Sequence, residues 1–220
     1  CIPNDVTRFN VSPIRSPRIQ SMLLMGLSAL IISFLIPAHA QADSVKDSVS
    51  QFIQDMVTKH QFSEEQLKAL IGSAKKKESI LNAFGKPATS KPWSFFKKLY
   101  VTEYREKEGV KFWKKNAATL ARAEERFGVP QEIITALIGI ETNYGTYTGE
   151  FRILDAFYSL EFYGKRRNKY FLKEFEEFLL LSRENNISAD TIKGSFAGAI
   201  GIAQFMPSSY REYAIDFDGD

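Results

Sequence analysis

The sequence predicts a mainly α-helical protein with a folded core. Apolar residues recur at helical spacing through most of the chain after residue 44, and no alternating pattern typical of strands competes with them. The hydrophobic fraction of 44% and the charged fraction of 25% are those of an ordinary globular protein. A length of 220 residues is enough for one domain with an extension or for two small domains.

Charge and residue usage exclude several functional classes. The 29 Lys and Arg against 26 Asp and Glu give a net charge of +3, which is too small to favour a nucleic-acid-binding protein. Cys1 is the only cysteine, so an internal disulfide framework and a cysteine-ligated metal site are excluded. His39 and His60 are too few for a histidine metal site or for a Ser/His/Asp triad.

Residues 1–40 predict an N-terminal extension and a signal peptide. An apolar run over 22–38 follows Arg15 and Arg18 and leads into Ala38-His39-Ala40 and then polar sequence. This three-part form is typical of a secretory signal, with cleavage after Ala40. A retained membrane anchor is the alternative, because the run approaches the roughly 20 residues that cross a bilayer.

Residues 41–92 predict an N-terminal helical segment. Apolar positions at helical spacing indicate a first helix over 45–60. Ser63 and Gln66 form the pattern of a capping box, which predicts the start of a second helix that ends near Lys75.

Residues 93–220 form the second predicted region. Glycine and proline cluster over 85–92, which indicates a loop and a boundary before it. One helical face continues from Phe112 to Phe127, after which Gly128 is suited to end the helix at C′ and Pro130 to begin the next at N1.

The helix that begins at Pro130 is the most apolar of the exported part and is predicted to be a core helix. Glu141 lies in its last turn, where loss of solvation would raise the pKa of the carboxyl and suit it to general acid catalysis. Two alternatives are open, in which Glu141 faces water or pairs with a base such as Arg152. Spacing alone favours these alternatives.

Two more segments have clear patterns. Apolar residues over 166–184 predict a helix that turns Phe171, Phe175, Phe178, Leu179 and Leu181 inward. The run 194–207 is rich in glycine and alanine, so its backbone can approach other backbone or a ligand closely.

Five ordered motifs carry a family resemblance. They are FGVP at 127–130, IGIETNYG at 138–145, RILDA at 152–156, KGSFAGA at 193–199 and QFMPSSY at 204–210. Together they resemble the membrane-bound lytic murein transglycosylase B family of the lysozyme-like superfamily. The resemblance is dense over 112–220 and thinner over 44–92. It implies a lysozyme-like transglycosylase core over 93–220, incomplete at its C-terminal end, with an N-terminal helical sub-domain.

The resemblance implies cleavage of the β-1,4 bond between N-acetylmuramic acid and N-acetylglucosamine in peptidoglycan, with formation of a 1,6-anhydro sugar. Glu141 matches the catalytic acid/base of the family. A non-catalytic peptidoglycan-binding or scaffold protein is the alternative from another functional class. The presence of Glu141, Ser195 and Gln204 together favours the enzyme, since binding alone does not require an acid at the end of an apolar helix.

Four further residues are candidates for substrate binding. Ser195 and Gln204 match family positions that line the sugar site, although Ser195 can also cap a helix and Gln204 can satisfy backbone groups. Tyr144 and Tyr170 can stack on sugar faces, and packing in the core is an equal alternative for both.

The chain also has the beginning of a calcium loop. Asp216, Asp218 and Asp220 occupy the first, third and fifth positions of that pattern. The resemblance implies an EF-hand-like loop here, but the glycine of the sixth position and the later acid are not among the 220 residues. A structural Ca²⁺ is therefore expected in a longer protein, and no cofactor is expected to be required for the reaction.

The resemblance and the export signal together predict partners and location. We expect peptidoglycan glycan strands as the main partner, other cell-wall enzymes as further partners, no nucleic acid, and a monomer. The expected location is the periplasm, with membrane association as the alternative.

Overall fold

Helices make up most of the structure, which confirms the predicted mainly α fold. The structure is a computed structural model that describes residues 38–84, 91–164 and 168–216. Residues 22–37 of the predicted apolar run over 22–38 lie outside these described residues. The helices are α1 (Ala38–His60), α2 (Glu64–Gly72), α3 (Glu78–Phe84), α4 (Trp93–Tyr100), α5 (Glu103–Lys115), α6 (Ala117–Phe127), α7 (Gln131–Thr142), α8 (Ile153–Tyr163), α9 (Asn168–Glu184) and α10 (Pro207–Tyr213).

The first two helices differ from the predicted bounds at one end each. α1 begins at Ala38, so it includes the predicted cleavage sequence. α2 begins as its capping pattern predicts, since the amide of Gln66 donates to Ser63 Oγ at 3.4 Å. It ends at Gly72, before the predicted end near Lys75, and the amide of Ser73 closes the last turn on the carbonyl of Ala69. The amide of Lys75 donates to Asp155 of α8 at 2.9 Å.

The hydrophobic core lies between α8, α9 and the N-terminal helices. The ring of Phe52 from α1 stacks on Phe175 of α9 with the centroids 4.8 Å apart, and Phe157 of α8 lies 5.8 Å from Phe175. The five inward residues predicted for α9 are all buried, which confirms that helix and its face. The N-terminal helices add Met56, Leu67, Ile71 and Ile80 to the same core.

The predicted helical face from Phe112 to Phe127 is divided between two helices. α5 ends and α6 begins at Asn116, whose side chain donates to the carbonyl of Phe112 at 2.8 Å. Gly128 ends α6 with a φ of 70°, as predicted. Pro130 precedes the first residue of α7 instead of occupying it, so the predicted start is wrong by one residue.

The prediction that α7 is a core helix is wrong within the described residues. Three of its five large apolar side chains are about half exposed: Ile133 is 51%, Leu137 55% and Ile140 48% exposed. The small residues Thr135, Gly139 and Thr142 form its buried face instead. Close approach to α5 selects the face with the smallest side chains, and this leaves the larger side chains outward.

A two-stranded antiparallel sheet lies beside these helices. β1 (Phe151–Arg152) pairs with β2 (Lys193–Gly194). Isolated bridges join Ile200 to Gly194 and to Phe205. The sheet therefore fixes the segment before α8 against the glycine-rich run over 194–207.

A buried carboxylate holds α10 onto α9. Glu174 is 2% exposed, and Ser208 donates to it from its amide at 3.0 Å and from its hydroxyl at 2.6 Å. In Glu174→Gln an amide group replaces one of the two acceptors, so we expect the free energy of unfolding to fall by about 1–3 kcal/mol. Urea unfolding measures this change. The exposed Glu125→Gln is the control, and an equal loss in both variants would contradict the role of Glu174.

The environment of Glu161 on α8 predicts that the stability of the fold depends on pH. Burial raises its pKa to about 7 from 4.5, against a hydrogen bond from the Leu172 backbone that lowers it. Its Oε2 has no hydrogen-bond partner among the described residues. The folded state thus binds the proton of Glu161 more tightly than the unfolded state does. The stability that this proton adds to the folded state is fully present below pH 4.5 and is lost as the pH rises to about 7.

Glu161→Gln is expected to remove the loss of stability that the wild type shows as the pH rises. Its Tm relative to the wild type should rise as the pH increases from 4.5 to about 7 and stay constant above that range. Thermal melts across the range measure the difference. A constant difference at every pH would show that Glu161 does not titrate in the folded state as described.

Candidate active site

Glu141 lies in the last turn of α7 with its side chain exposed to solvent. The loss of solvation considered for it is therefore absent in this structure, and the alternative in which it faces water is correct. The proposed pairing with Arg152 is wrong. Arg152 instead donates to Ser73 at 2.6 Å and lies 3.4 Å from the carboxylate of Asp155.

The chain turns sharply after α7. Asn143 and Tyr144 have φ values of 50° and 59°, in the left-handed region, and Gly145 follows with 86°. The amide of Asn143 donates to the carbonyl of Gly139 at 3.1 Å, and that of Tyr144 to the carbonyl of Ile138 at 3.3 Å. This turn ends the helix one residue after Glu141 and directs the chain away from the helix axis.

Thr142 joins the end of α7 to the glycine-rich run. Its side chain is 1% exposed and donates from Oγ1 to the carbonyl of Ile202 at 2.8 Å. The same oxygen accepts from the amide of Gly145 at 2.9 Å. The residue next to Glu141 is thus fixed to the segment that also contains Gln204.

Ser195 and Gln204 both hold the local backbone. The amide of Ala199 donates to Ser195 Oγ at 3.0 Å. Gln204 has a φ of 51°, and its Nε2 donates to the carbonyls of Thr148 and Gly201, both at 3.0 Å. Gln204 thus satisfies backbone groups, as considered for it, whereas Ser195 holds a turn and does not cap a helix. The Gln204 Oε1 has no hydrogen bond from the described residues.

The segment that follows Glu141 brings these residues together. Thr142 bonds to Ile202, Thr148 accepts from Gln204, and an added Cβ at Gly149 would lie 2.5 Å from the amide nitrogen of Ser195. Residues 142–149 therefore connect the end of α7 to the segments that contain Ser195 and Gln204.

The two candidate tyrosines have different environments. The ring of Tyr144 packs between α5 and α7, 5.7 Å from the ring of Phe112, and burial raises the pKa of its hydroxyl. This favours the packing alternative for Tyr144. Tyr170 is 41% exposed on α9, edge-on to Phe171. Tyr170 thus lies on a helix that packs mainly against α8 and α10, whereas α7, which carries Glu141, packs mainly against α5 and α6.

Sequence reasoning missed two residues that hold this turn. Thr142 is adjacent to Glu141 within a quoted motif, and a small polar residue beside a candidate acid was a signal that could have found it. Arg105 of α5 donates from its guanidinium to the carbonyl of Gly139. Its separation of 34 residues from Gly139 gave no local signal.

The predicted calcium loop is only partly described. Asp216 is exposed, whereas Asp218 and Asp220 lie outside the described residues. Within the described ranges, no three His, Cys, Asp or Glu side chains form a metal-binding group. The calcium site stays a prediction.

Comparison with known proteins gives consistent matches. Residues 44–220 match the family described as transglycosylase SLT domain. The chain is 43% identical over 183 residues to membrane-bound lytic murein transglycosylase B of Escherichia coli (strain K12), covering 79% of this chain and 51% of that protein. It thus spans about half the length of that curated relative.

Two solved structures have the same fold. Soluble lytic transglycosylase SltB1 from Pseudomonas aeruginosa aligns with a TM-score of 0.76 at 45% identity, covering 79% of this chain and 59% of that one. The Escherichia coli lytic transglycosylase Slt35 in complex with calcium aligns with a TM-score of 0.75 at 43% identity, covering 78% and 55%. These alignments confirm the predicted lysozyme-like transglycosylase fold.

Proposed function

The chain belongs to the transglycosylase SLT domain family, and from this premise we propose that it is a peptidoglycan lytic transglycosylase. It cleaves the β-1,4 bond between N-acetylmuramic acid and N-acetylglucosamine and leaves a 1,6-anhydro end on the muramic acid. The observation that carries the proposal is the exposed Glu141 at the end of α7, joined through Thr142 to the segment of Gln204.

Glu141 acts in both steps of the reaction. It first donates a proton to the leaving oxygen of the glycosidic bond as the bond from the anomeric carbon to that oxygen breaks. It then accepts the proton of the 6-hydroxyl of the same muramyl residue, whose oxygen forms the new bond to the anomeric carbon. The internal hydroxyl replaces the second carboxylate of ordinary glycosidases, and no water is consumed.

Substrate binding supplies the loss of solvation that the free structure lacks. A glycan strand across the end of α7 displaces water from the exposed Glu141, so that the carboxyl faces the leaving oxygen instead of bulk solvent. The Oε1 of Gln204, which has no hydrogen bond from the described residues, accepts from a sugar hydroxyl or N-acetyl amide. The hydroxyl of Ser195 donates to the same ligand.

Mass analysis of soluble products from purified peptidoglycan tests the proposal. A lytic transglycosylase releases muropeptides with anhydro ends, whereas a hydrolase leaves reducing ends that are heavier by one water. Binding of the chain to peptidoglycan without release of anhydro products would instead favour the peptidoglycan-binding or scaffold function. Reducing ends alone would contradict the internal attack by the 6-hydroxyl.

Export to the periplasm is proposed from the apolar run and the cleavage sequence that ends at Ala40. Among the described helices, none has both the length and the hydropathy needed to span a membrane. The mass of the protein recovered from the periplasmic and membrane fractions tests cleavage after Ala40. A mass that retains residues 1–40 would favour the anchor.

A structural Ca²⁺ at Asp216, Asp218 and Asp220 is proposed from the loop pattern, because carboxylates are preferred ligands of this hard cation. The exposure of Asp216 is compatible with this role. A rise in Tm on addition of Ca²⁺, removed by Asp216→Asn, would support the site. An identical response in the variant would contradict it.

A further inference from the structure

The side chain of Tyr144 fills a slot between α5 and α7 whose walls are glycines. A Cβ added at Gly109 of α5 would lie 2.6 Å from the Tyr144 hydroxyl oxygen. A Cβ added at Gly139 of α7 would lie 2.7 Å from its Cζ. Real Cβ atoms do not approach this closely, so the phenol ring occupies the space that the two glycines leave open.

The backbone at Tyr144 depends on this packing. Its φ of 59° follows the 50° of Asn143, and two successive residues other than glycine in the left-handed region are costly. Such a conformation persists only where surrounding contacts hold it in place. The ring packed against Phe112 and the two glycines provides these contacts.

The last turn of α7 is held on two sides. From α5, the guanidinium of Arg105 donates to the carbonyl of Gly139. On the other side, Thr142 bonds to the carbonyl of Ile202 at 2.8 Å. Glu141 lies between these fixed points, so the backbone of this turn sets the position and direction of its Cα–Cβ bond, from which the exposed carboxyl extends.

We propose that Tyr144 is a positioning residue that locks the last turn of α7 and thereby aims the carboxyl of Glu141, with Gly109 and Gly139 as the slot for its ring. The inference rests on the proposed function, since it assigns Glu141 as the acid/base. It replaces the sugar-stacking role considered for Tyr144, because a ring packed between two helices does not offer its faces to a glycan.

A double-mutant cycle between Gly139 and Tyr144 tests the lock. Gly139→Ala should lower the Tm of the full chain by roughly 3–10 °C, because the added methyl group collides with the ring. In the Tyr144→Ala background the same change should leave the Tm unchanged or raise it, since the slot is empty and alanine favours the helix. An equal fall in both backgrounds overturns the proposal.

Steady-state kinetics on purified peptidoglycan test the effect on Glu141. Tyr144→Ala should lower kcat about 10- to 100-fold with KM changed by less than about 3-fold, because a misplaced acid impairs the chemical step more than binding. Tyr144→Phe keeps the ring and should retain kcat. If Tyr144→Ala does not fold, Tyr144→Leu provides the same comparison.

The possible outcomes separate this proposal from the proposed function. A rise in KM at unchanged kcat and unchanged Tm assigns Tyr144 to sugar stacking and overturns the lock. If the wild-type chain itself releases no anhydro products, the proposed function fails, and with it the aiming of an acid. The stability cycle then decides alone whether Tyr144 locks the turn.

Discussion

Replacing Glu141 by glutamine is expected to reduce the release of anhydro-muropeptides by about 1,000-fold or more. Glutamine has the size of glutamate but neither donates an acidic proton to the leaving oxygen nor accepts one from the 6-hydroxyl. Since one group performs both transfers, a single substitution removes both. Initial rates of anhydro product formation, measured by mass analysis, give the factor.

The fold and the binding of peptidoglycan should be retained in this variant. Glu141 is exposed, so its neutralisation leaves no buried group without a partner and should change the Tm by little. Glu132→Gln is the matched control, because it makes the same change in the first turn of the same helix. A Glu141→Gln chain that retains more than about a tenth of the wild-type rate would remove Glu141 from the mechanism.

Gly149→Ala is expected to have the largest effect on stability. Gly149 has a φ of 101°, which residues with a side chain rarely adopt. An added Cβ would lie 2.5 Å from the amide nitrogen of Ser195 and closer still to the carbonyl of Gly194. Neither backbone group is free to move, since β2 pairs with β1 at Gly194, so we expect a loss of at least about 3 kcal/mol in the free energy of unfolding.

Thermal and urea unfolding of the Gly149→Ala chain measure this loss. Gly72→Ala is the control, because Gly72 ends α2 and an added Cβ there meets nothing within 4 Å. That substitution should be neutral or stabilise the protein by up to about 1 kcal/mol. Similar Tm values for the two variants would show that residue 149 and β2 can move apart without a loss of stability.

Local signals predicted the elements whose cause is local. The cap at Ser63, the end of α6 at Gly128 and the inward face of α9 all depend on residues within a few positions of one another. α8 was not predicted, because it is apolar on most sides and so lacks an amphipathic pattern. The bond from the amide of Lys75 to Asp155 also had no local signal, since the two residues are 80 positions apart.

The same distinction between local and distant causes applies to the candidate site. The motif around Glu141 pointed to a candidate acid, and the family comparison confirms the resemblance that the motif carries. The environment of each side chain was predicted less well. Glu141 was considered as a desolvated acid and is exposed, while Tyr144 was considered as a sugar platform and packs between two helices.

The sequence by itself determined the helical class, the family and the positions of the candidate acid and its polar companions. Only the tertiary structure decided which face of α7 is buried, which carbonyls Thr142 and Arg105 bind, and where the ring of Tyr144 lies. The physical reason is the range of the forces. Helix periodicity and capping act within about one turn, whereas burial depends on which distant helix approaches, and Gly109 and Gly139 permit the approach of α5.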